Sequence, residues 1–202
     1  MEPKTLPGFR DFLPENFKKA DKIAVFIDAA NLQKSVLKLG RKISYRFLKN
    51  SLKAIGELIY IGYFTVSPET EAQKDFIKSL QRFGYDTNVK PLKLIKTIEG
   101  KIVRKANFDV EIAVEAMDKN REYDTIILFS GDSDFNYLIK KLKFKGKKAV
   151  VISTRYRVAH ELVRSADIYL DLKDLNDLEF WQQKSPAFSQ GDKNNLSTAK
   201  KV

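Results

Sequence analysis

The chain has 202 residues, no cysteine, one histidine, and a formal charge of +11 from 37 Lys and Arg against 26 Asp and Glu. That length and a 43% hydrophobic content suit one domain with a substantial core, and the absence of cysteine excludes disulfides and thiolate metal sites. No apolar run approaches the roughly 20 residues of a membrane helix, and the N-terminus lacks a signal-peptide core; a cytoplasmic location is expected, and any metal should be hard and oxygen-bound.

Residues 1–21 read as an N-terminal arm in which Phe12, Leu13 and Phe17 are available for packing. "KIAVFID" (22–28) is a continuous apolar run ending in Asp, the pattern of a strand buried on both faces. A helix follows to a stop at Gly40, and a second over 44–56 stops at Gly56. "ELIYIGYF" (57–64) is the second strand. The spacing predicts a helix over 67–84, with Ser67 as N-cap, Pro68 in the first helical position and Gly84 as the stop. "YDTNVKPLKLI" holds a third strand, placed near a sheet edge by Pro91, and a hairpin turns at Glu99-Gly100. A helix over 107–122 leads into a fourth strand, 123–130. "DSDFNYLIKKLKFKG" is helical, "KKAVVIS" is a fifth strand, "RVAHELVRSA" is helical, and "DIYLDL" is a final short strand or extended segment. His160 falls in that last helix as an ordinary helix residue. The polar stretch 182–202 lacks apolar periodicity and is expected to be disordered. Strands alternating with helices define an α/β domain over 22–181 with a parallel sheet and right-handed crossovers.

Basic residues concentrate in 34–53, 90–105 and 140–148, where acids are sparse. Such an excess favours a polyanionic partner, nucleic acid before an anionic membrane surface, with a solubilising lysine surface as the plain alternative. Lys101, Arg104 and Lys105 are candidate contacts to a phosphate backbone; a solvated hairpin accounts for them equally well. Tyr45, Phe47, Tyr63, Phe64, Phe135, Tyr137 and Tyr156 are candidate stacking residues in a chain whose aromatics are mostly core material.

Against this basic background, four acids fall where an open α/β sheet forms its sites, outside the carboxyl ends of the strands. Asp28 ends the first strand, Asp132 and Asp134 follow the fourth, and Asp109 starts the helix that enters the fourth. Each of the last three has a local use as a helix cap or first-turn acid. Asp28 is harder to account for that way, because it ends a strand as apolar as "IAVFI". Carboxylates gathered in one cleft repel and raise each other's pKa, whereas a bound Mg²⁺ or Mn²⁺ wants several oxygen ligands. An acidic pocket in a basic protein makes sense when a metal lies between acid and phosphate.

At these residues the sequence resembles a known family. "VFIDAANL" (25–32), "FDVEIAVEAM" (108–117) and "ILFSGDSDFNYLI" (127–139) are similar, in order, to the three signature blocks of NYN domains of the LabA/DUF88 type, within the PIN-like nucleases. The resemblance spans about 22–172. It implies a three-layer αβα fold around a central, mainly parallel sheet of about five strands. It also implies metal-dependent ribonuclease chemistry at Asp28, Asp109, Asp132 and Asp134, leaving 5′-phosphate and 3′-hydroxyl ends. Asn31 and Ser130 fall on the Asn and Ser of the first and third blocks as supporting residues. Glu115 stands where many relatives carry Asp and is kept as a supporting carboxylate outside the ligand set.

The expectation is therefore an endoribonuclease that uses Mg²⁺ or Mn²⁺ on RNA, single-stranded by preference, with a homodimer left open. The competing reading is an RNA-binding or regulatory module with the same fold and no useful turnover. A small-substrate phosphatase is disfavoured because Ala30 breaks the D-x-D pattern, and a dinucleotide-binding domain because no G-x-G-x-x-G follows the first strand.

Overall fold

The structure, a computed structural model, describes residues 9–15, 17, 21–96, 100, 102–175 and 178–182. β1 (Lys22–Asp28) runs into α1 (Ala29–Lys38), a two-residue strand β2 (Lys42–Ile43) and α2 (Tyr45–Lys53). β3 (Glu57–Val66), α3 (Glu71–Arg82) and β4 (Asp86–Lys90) come next. β5 (Lys93–Lys96) and β6 (Ile102–Lys105) form an antiparallel pair, the expected hairpin; Glu99 of its turn lies outside the described residues. Then follow α4 (Asp109–Asp118), β7 (Thr125–Phe129), a 3₁₀ turn (Ser133–Phe135) and α5 (Asn136–Phe144). β8 (Lys148–Ser153), α6 (His160–Ser165), β9 (Ile168–Asp171) and β10 (Trp181–Gln182) complete the chain.

Six strands form one parallel sheet in the order β4-β3-β1-β7-β8-β9, the sixth being the closing "DIYLDL" segment, which is a strand. The chain builds outward from β1 through β3 to β4, then returns to the other side of β1 and builds outward through β7, β8 and β9. Right-handed crossovers in opposite directions put helices on opposite faces. Alternate residues of β1 divide accordingly: Ile23, Val25 and Ile27 join the core beneath α1, α2 and α3, while Ala24 and Phe26 join the core beneath α4, α5 and α6. Phe26 is fully buried with ring centroids of Tyr60, Phe64 and Tyr123 at 5.1, 6.3 and 6.4 Å. Removing such a ring costs on the order of 3–5 kcal/mol.

Three local expectations are corrected. The third helix starts at Glu71, not at Ser67: Thr70 and Gln73 make a reciprocal capping box, and this satisfies two orphan N–H groups at once. Ser67 instead donates its N–H to the Lys90 carbonyl, extending the β3–β4 edge. The second helix ends at Lys53, and Gly56 is not its stop. A Cβ at Gly56 would lie 2.4 Å from the Asp21 carbonyl oxygen, so glycine is there for close passage of the chain entering β1. The helix over 107–122 is shorter, ending at Asp118 and followed by a 3₁₀ turn. Of the N-terminal arm, Phe9, Leu13 and Phe17 are buried in the core, and Phe9 stacks on Phe180 at 5.5 Å. Trp181 is tied down by its Nε1–H to the Leu175 carbonyl and by Arg41 over its ring. Of the polar tail expected over 182–202, Gln182 instead lies in β10 and pairs with Lys42, and residues 183–202 lie outside the described residues.

Candidate functional site

The strand order reverses between β1 and β7, and a crevice outside their carboxyl ends is where ligands bind in such sheets. Asp28 is the last residue of β1 and Ser130 the first after β7. The Ser130 hydroxyl donates to Asp28 Oδ2 at 3.1 Å across 102 residues of sequence, and the Asn31 N–H donates to Asp28 Oδ1 at 3.2 Å. Both oxygens of Asp28 are therefore held in place. Ser130 also accepts from the Asp132 N–H at 3.3 Å, and Asp132 Oδ1 accepts from the Asp134 N–H at 3.1 Å. The turn after β7 is thus locked to the end of β1 by side chains of the motif itself.

Gly131 in that turn is enforced by packing. A Cβ there would lie 2.5 Å from the Arg157 carbonyl oxygen and 2.8 Å from Ser153 Oγ. Its own carbonyl accepts from the Ala159 N–H at 2.8 Å, which fixes the loop after β8 against the turn after β7.

The third segment arrives from the hairpin. Asn107 Oδ1 accepts from the Asp109 N–H at 2.8 Å, an Asx turn that leads into α4. A cleft of about 310 Å³ is lined by Asp28, Asp109 and Asp132, with Asn31, Lys34 and Arg157 also on its wall. Three of the four predicted acids meet there. Asp134 is exposed at the edge and lines the neighbouring groove between α4 and α5, although its charge is felt at Asp109. Glu115 is not on the cleft wall. It sits further along α4 and pairs with Lys119 at 3.4 Å, one turn on.

The electrostatics of the cleft disfavour its own negative charge. Burial raises the pKa of Asp28, opposed by the hydrogen bonds from Asn31 and Ser130, with the Asp132 charge adding to the rise. Asp109 is pushed up to about 6, mainly by burial and then by the charges of Asp132, Asp28 and Asp134, against lowering by Asn107. Two buried oxygens on residues of this wall, Asp109 Oδ2 and Asn31 Oδ1, have no hydrogen-bond partner. Among the described residues, however, no group of three or more acidic or histidine side chains stands ready-made to hold a metal ion.

Lys101 lies outside the described residues. Arg104 and Lys105 lie in β6, opposite Leu94 and Lys93, and their side chains are outside the description. Of the candidate stacking residues, Tyr63, Phe64 and Phe135 are buried and Tyr45 is enclosed against Tyr63, Phe76 and Tyr85. Phe47, Tyr137 and Tyr156 are exposed. The sequence reading did not single out Asn107, Lys34 or Arg157 for this site. Asn107 had a local signal, an Asn two residues ahead of a helix-opening Asp; the two cations had none.

This architecture and motif set define a NYN domain. The NYN domain family model matches residues 22–173, and the chain belongs to that family, which is PIN-like and associated with nuclease and RNA-related functions. The chain is 30% identical over 161 residues to the Low amplitude and bright protein LabA of Synechococcus elongatus, covering 78% of this chain and 87% of LabA. Its fold is similar to a crystal structure of a Vibrio parahaemolyticus protein of unknown function, with a TM-score of 0.69, 22% identity, and coverage of 82% of this chain and 98% of that one. No helix among the described residues is long and apolar enough to cross a membrane.

Proposed function

We propose that this chain is a metal-dependent endoribonuclease that hydrolyses phosphodiester bonds of single-stranded RNA, with Asp28, Asp109 and Asp132 as the residues that would hold Mg²⁺ or Mn²⁺. The observation that carries the reading is one cleft at the switch point of the sheet in which three carboxylates are gathered, with the charge of two of them, Asp28 and Asp109, disfavoured by burial, in a chain of net charge +11. The donor set is all oxygen, which suits a hard dication, and the partnerless oxygens of Asp109 and Asn31 are sites where a cation or its water would satisfy an otherwise orphaned acceptor. When bound, such an ion supplies Lewis acidity toward phosphate and a water of lowered pKa.

The chain's own residues prepare that chemistry. Ser130 and the Asn31 N–H hold the Asp28 carboxylate in a fixed orientation. Asn107 fixes the first turn of α4 and thereby Asp109. Gly131 lets the loop after β8 close on the turn after β7, which carries Arg157 to the same cleft as the acids. Asp134, at the edge, is the fourth candidate ligand or a base at the mouth of the cleft.

One observation favours the second reading, an RNA-binding module without turnover: the acids are near one another but not preassembled as a ligand cage. End-labelled single-stranded RNA, incubated with purified protein in Mn²⁺ or Mg²⁺, separates the two. Cleavage that disappears with EDTA and in Asp132→Asn is the expected result; Asn keeps the N-cap acceptor at that turn, so the variant should fold. Binding of RNA without cleavage across Mg²⁺ and Mn²⁺ would replace the nuclease by the binding module.

A further inference from the structure

Two surfaces lead away from the carboxylate cleft. One is the groove between α4 and α5, lined by Val114, Met117 and Leu138 and flanked by Tyr137, Lys141 and Lys145. It is apolar, but Asp118 and Asp134 share its wall, and α4 carries Glu111 and Glu115 with no basic residue of its own. A phosphate backbone laid there would meet like charge.

The other surface crosses α1 toward the loop between β8 and α6. α1 reads AANLQKSVLK and has no acid. Its two lysines, Lys34 and Lys38, are four residues apart and share one side of the helix. Lys34 lines the cleft beside Asp28, and Lys38 continues outward, with its Nζ 4.6 Å from the centroid of the Tyr156 ring. Tyr156 is 58% exposed. Arg157, the next residue, lines the same cleft as Lys34. Among the described residues Lys34, Lys38 and Arg157 form no ion pair. Two acids beside that loop, Asp171 and Asp174, are engaged by Arg155: its Nε donates to Asp171 at 2.6 Å and its Nη2 to Asp174 at 3.1 Å.

The loop is also tied down by hydrogen bonds. Arg157 and Val158 both donate N–H groups to the Thr154 carbonyl, Ala159 donates to the Gly131 carbonyl, and the Arg155 N–H donates to Asp171. An exposed aromatic on a fixed turn, flanked by unpaired cations and continuous with a polar cleft, is the arrangement that binds single strands, with the base stacked and the backbone tracked by charge. A platform so held also limits the ordering cost of binding.

We propose that single-stranded RNA crosses the Lys34–Lys38–Tyr156–Arg157 strip next to the cleft, with one base stacked on Tyr156 and the adjoining phosphates met by Lys34 and Arg157. The strip rests on the reading of the cleft as an RNA-cleaving site and adds to it the path of the strand. Tyr156, Lys34 and Lys38 position substrate; Arg157, on the wall of the cleft that holds Asp28, meets a phosphate there.

Fluorescence anisotropy with a labelled single-stranded RNA, in Mg²⁺ and in the Asp132→Asn background, measures this without turnover. Tyr156→Ala should weaken binding by about fivefold or more, and Tyr156→Phe should restore it. Lys34→Ala with Arg157→Ala should lower the slope of log affinity against log salt by roughly 1.4, two contacts at about 0.7 each. Lys141→Ala with Lys145→Ala, on the other surface, should stay within about twofold of the parent. In the otherwise native chain, Tyr156→Ala should raise KM for cleavage and leave kcat nearly unchanged. A native chain that cleaves RNA while the Tyr156 and Lys34/Arg157 variants bind like the parent overturns the strip and leaves the nuclease standing. Tyr156→Phe binding as weakly as Tyr156→Ala overturns the stacking role. A native chain that neither binds nor cleaves RNA removes both.

Discussion

Asp109→Asn should make the metal-free protein more stable and less active at the same time. Asp109 opens α4 in the cleft, and burial, followed by the charges of Asp132, Asp28 and Asp134, lifts its pKa from 3.8 to about 6. A carboxyl whose native pKa is raised binds its proton more tightly folded than unfolded. Its contribution is therefore most favourable below about pH 4, is lost as pH climbs from about 4 to about 6, and stays lost above that. The whole rise corresponds to at most about 3 kcal/mol; Asp109 keeps contact with solvent, and screening reduces this to about 1 kcal/mol. In EDTA at about pH 8, Asp109→Asn should then melt roughly 2–4 °C above the native chain, while at about pH 4 the two should coincide. Thermal melts followed by circular dichroism in EDTA at the two pH values decide it. Equal or lower melting of Asp109→Asn at the higher pH would refute the claim that the cleft disfavours this charge. The same variant should lose Mn²⁺-dependent cleavage, the usual exchange of stability for function at a strained site.

Gly131→Ala should destabilise by about 1–3 kcal/mol in urea titrations, because the added Cβ meets the Arg157 backbone oxygen at 2.5 Å and neither backbone can yield alone. Thr70→Ala removes the capping box at the start of α3 and should cost about 1 kcal/mol in the same titration without changing cleavage. Glu115→Gln gives up the half-exposed pair with Lys119, a loss of about 0.5 kcal/mol or less; metal-dependent cleavage should be unchanged, and its disappearance would bring Glu115 into the site.

The strands and their order of appearance were legible because burial on two faces writes itself locally. "IAVFI" is apolar at every position and "TIILF" at all but Thr125, and both are strands buried on both faces. The strand-end position of Asp28 and the turn carrying Asp132 followed from the same runs. Local pattern failed where two local signals competed. Ser67-Pro68 and Thr70-x-x-Gln73 both resemble a helix start, and the reciprocal cap prevailed because it satisfies two N–H groups where the first offers one. Gly56 carries the same letter as a helix stop, but its reason is a neighbour 35 residues earlier in the chain.

The sequence by itself determined the α/β class, the two-faced core, and which carboxylates stand at strand ends and helix starts, since these depend on period and on caps within a few residues. Only the tertiary structure decided which of them share a cleft. The bond from Ser130 to Asp28 spans 102 residues, and the return of the chain across β1 is what makes those two neighbours. It brought Asp28, Asp109 and Asp132 together, left Asp134 at the edge and Glu115 along α4, and added Lys34 and Arg157 to the wall. Two cations from segments more than a hundred residues apart have no shared local pattern; their proximity is a property of packing, set by where β1, β7 and β8 end in one sheet.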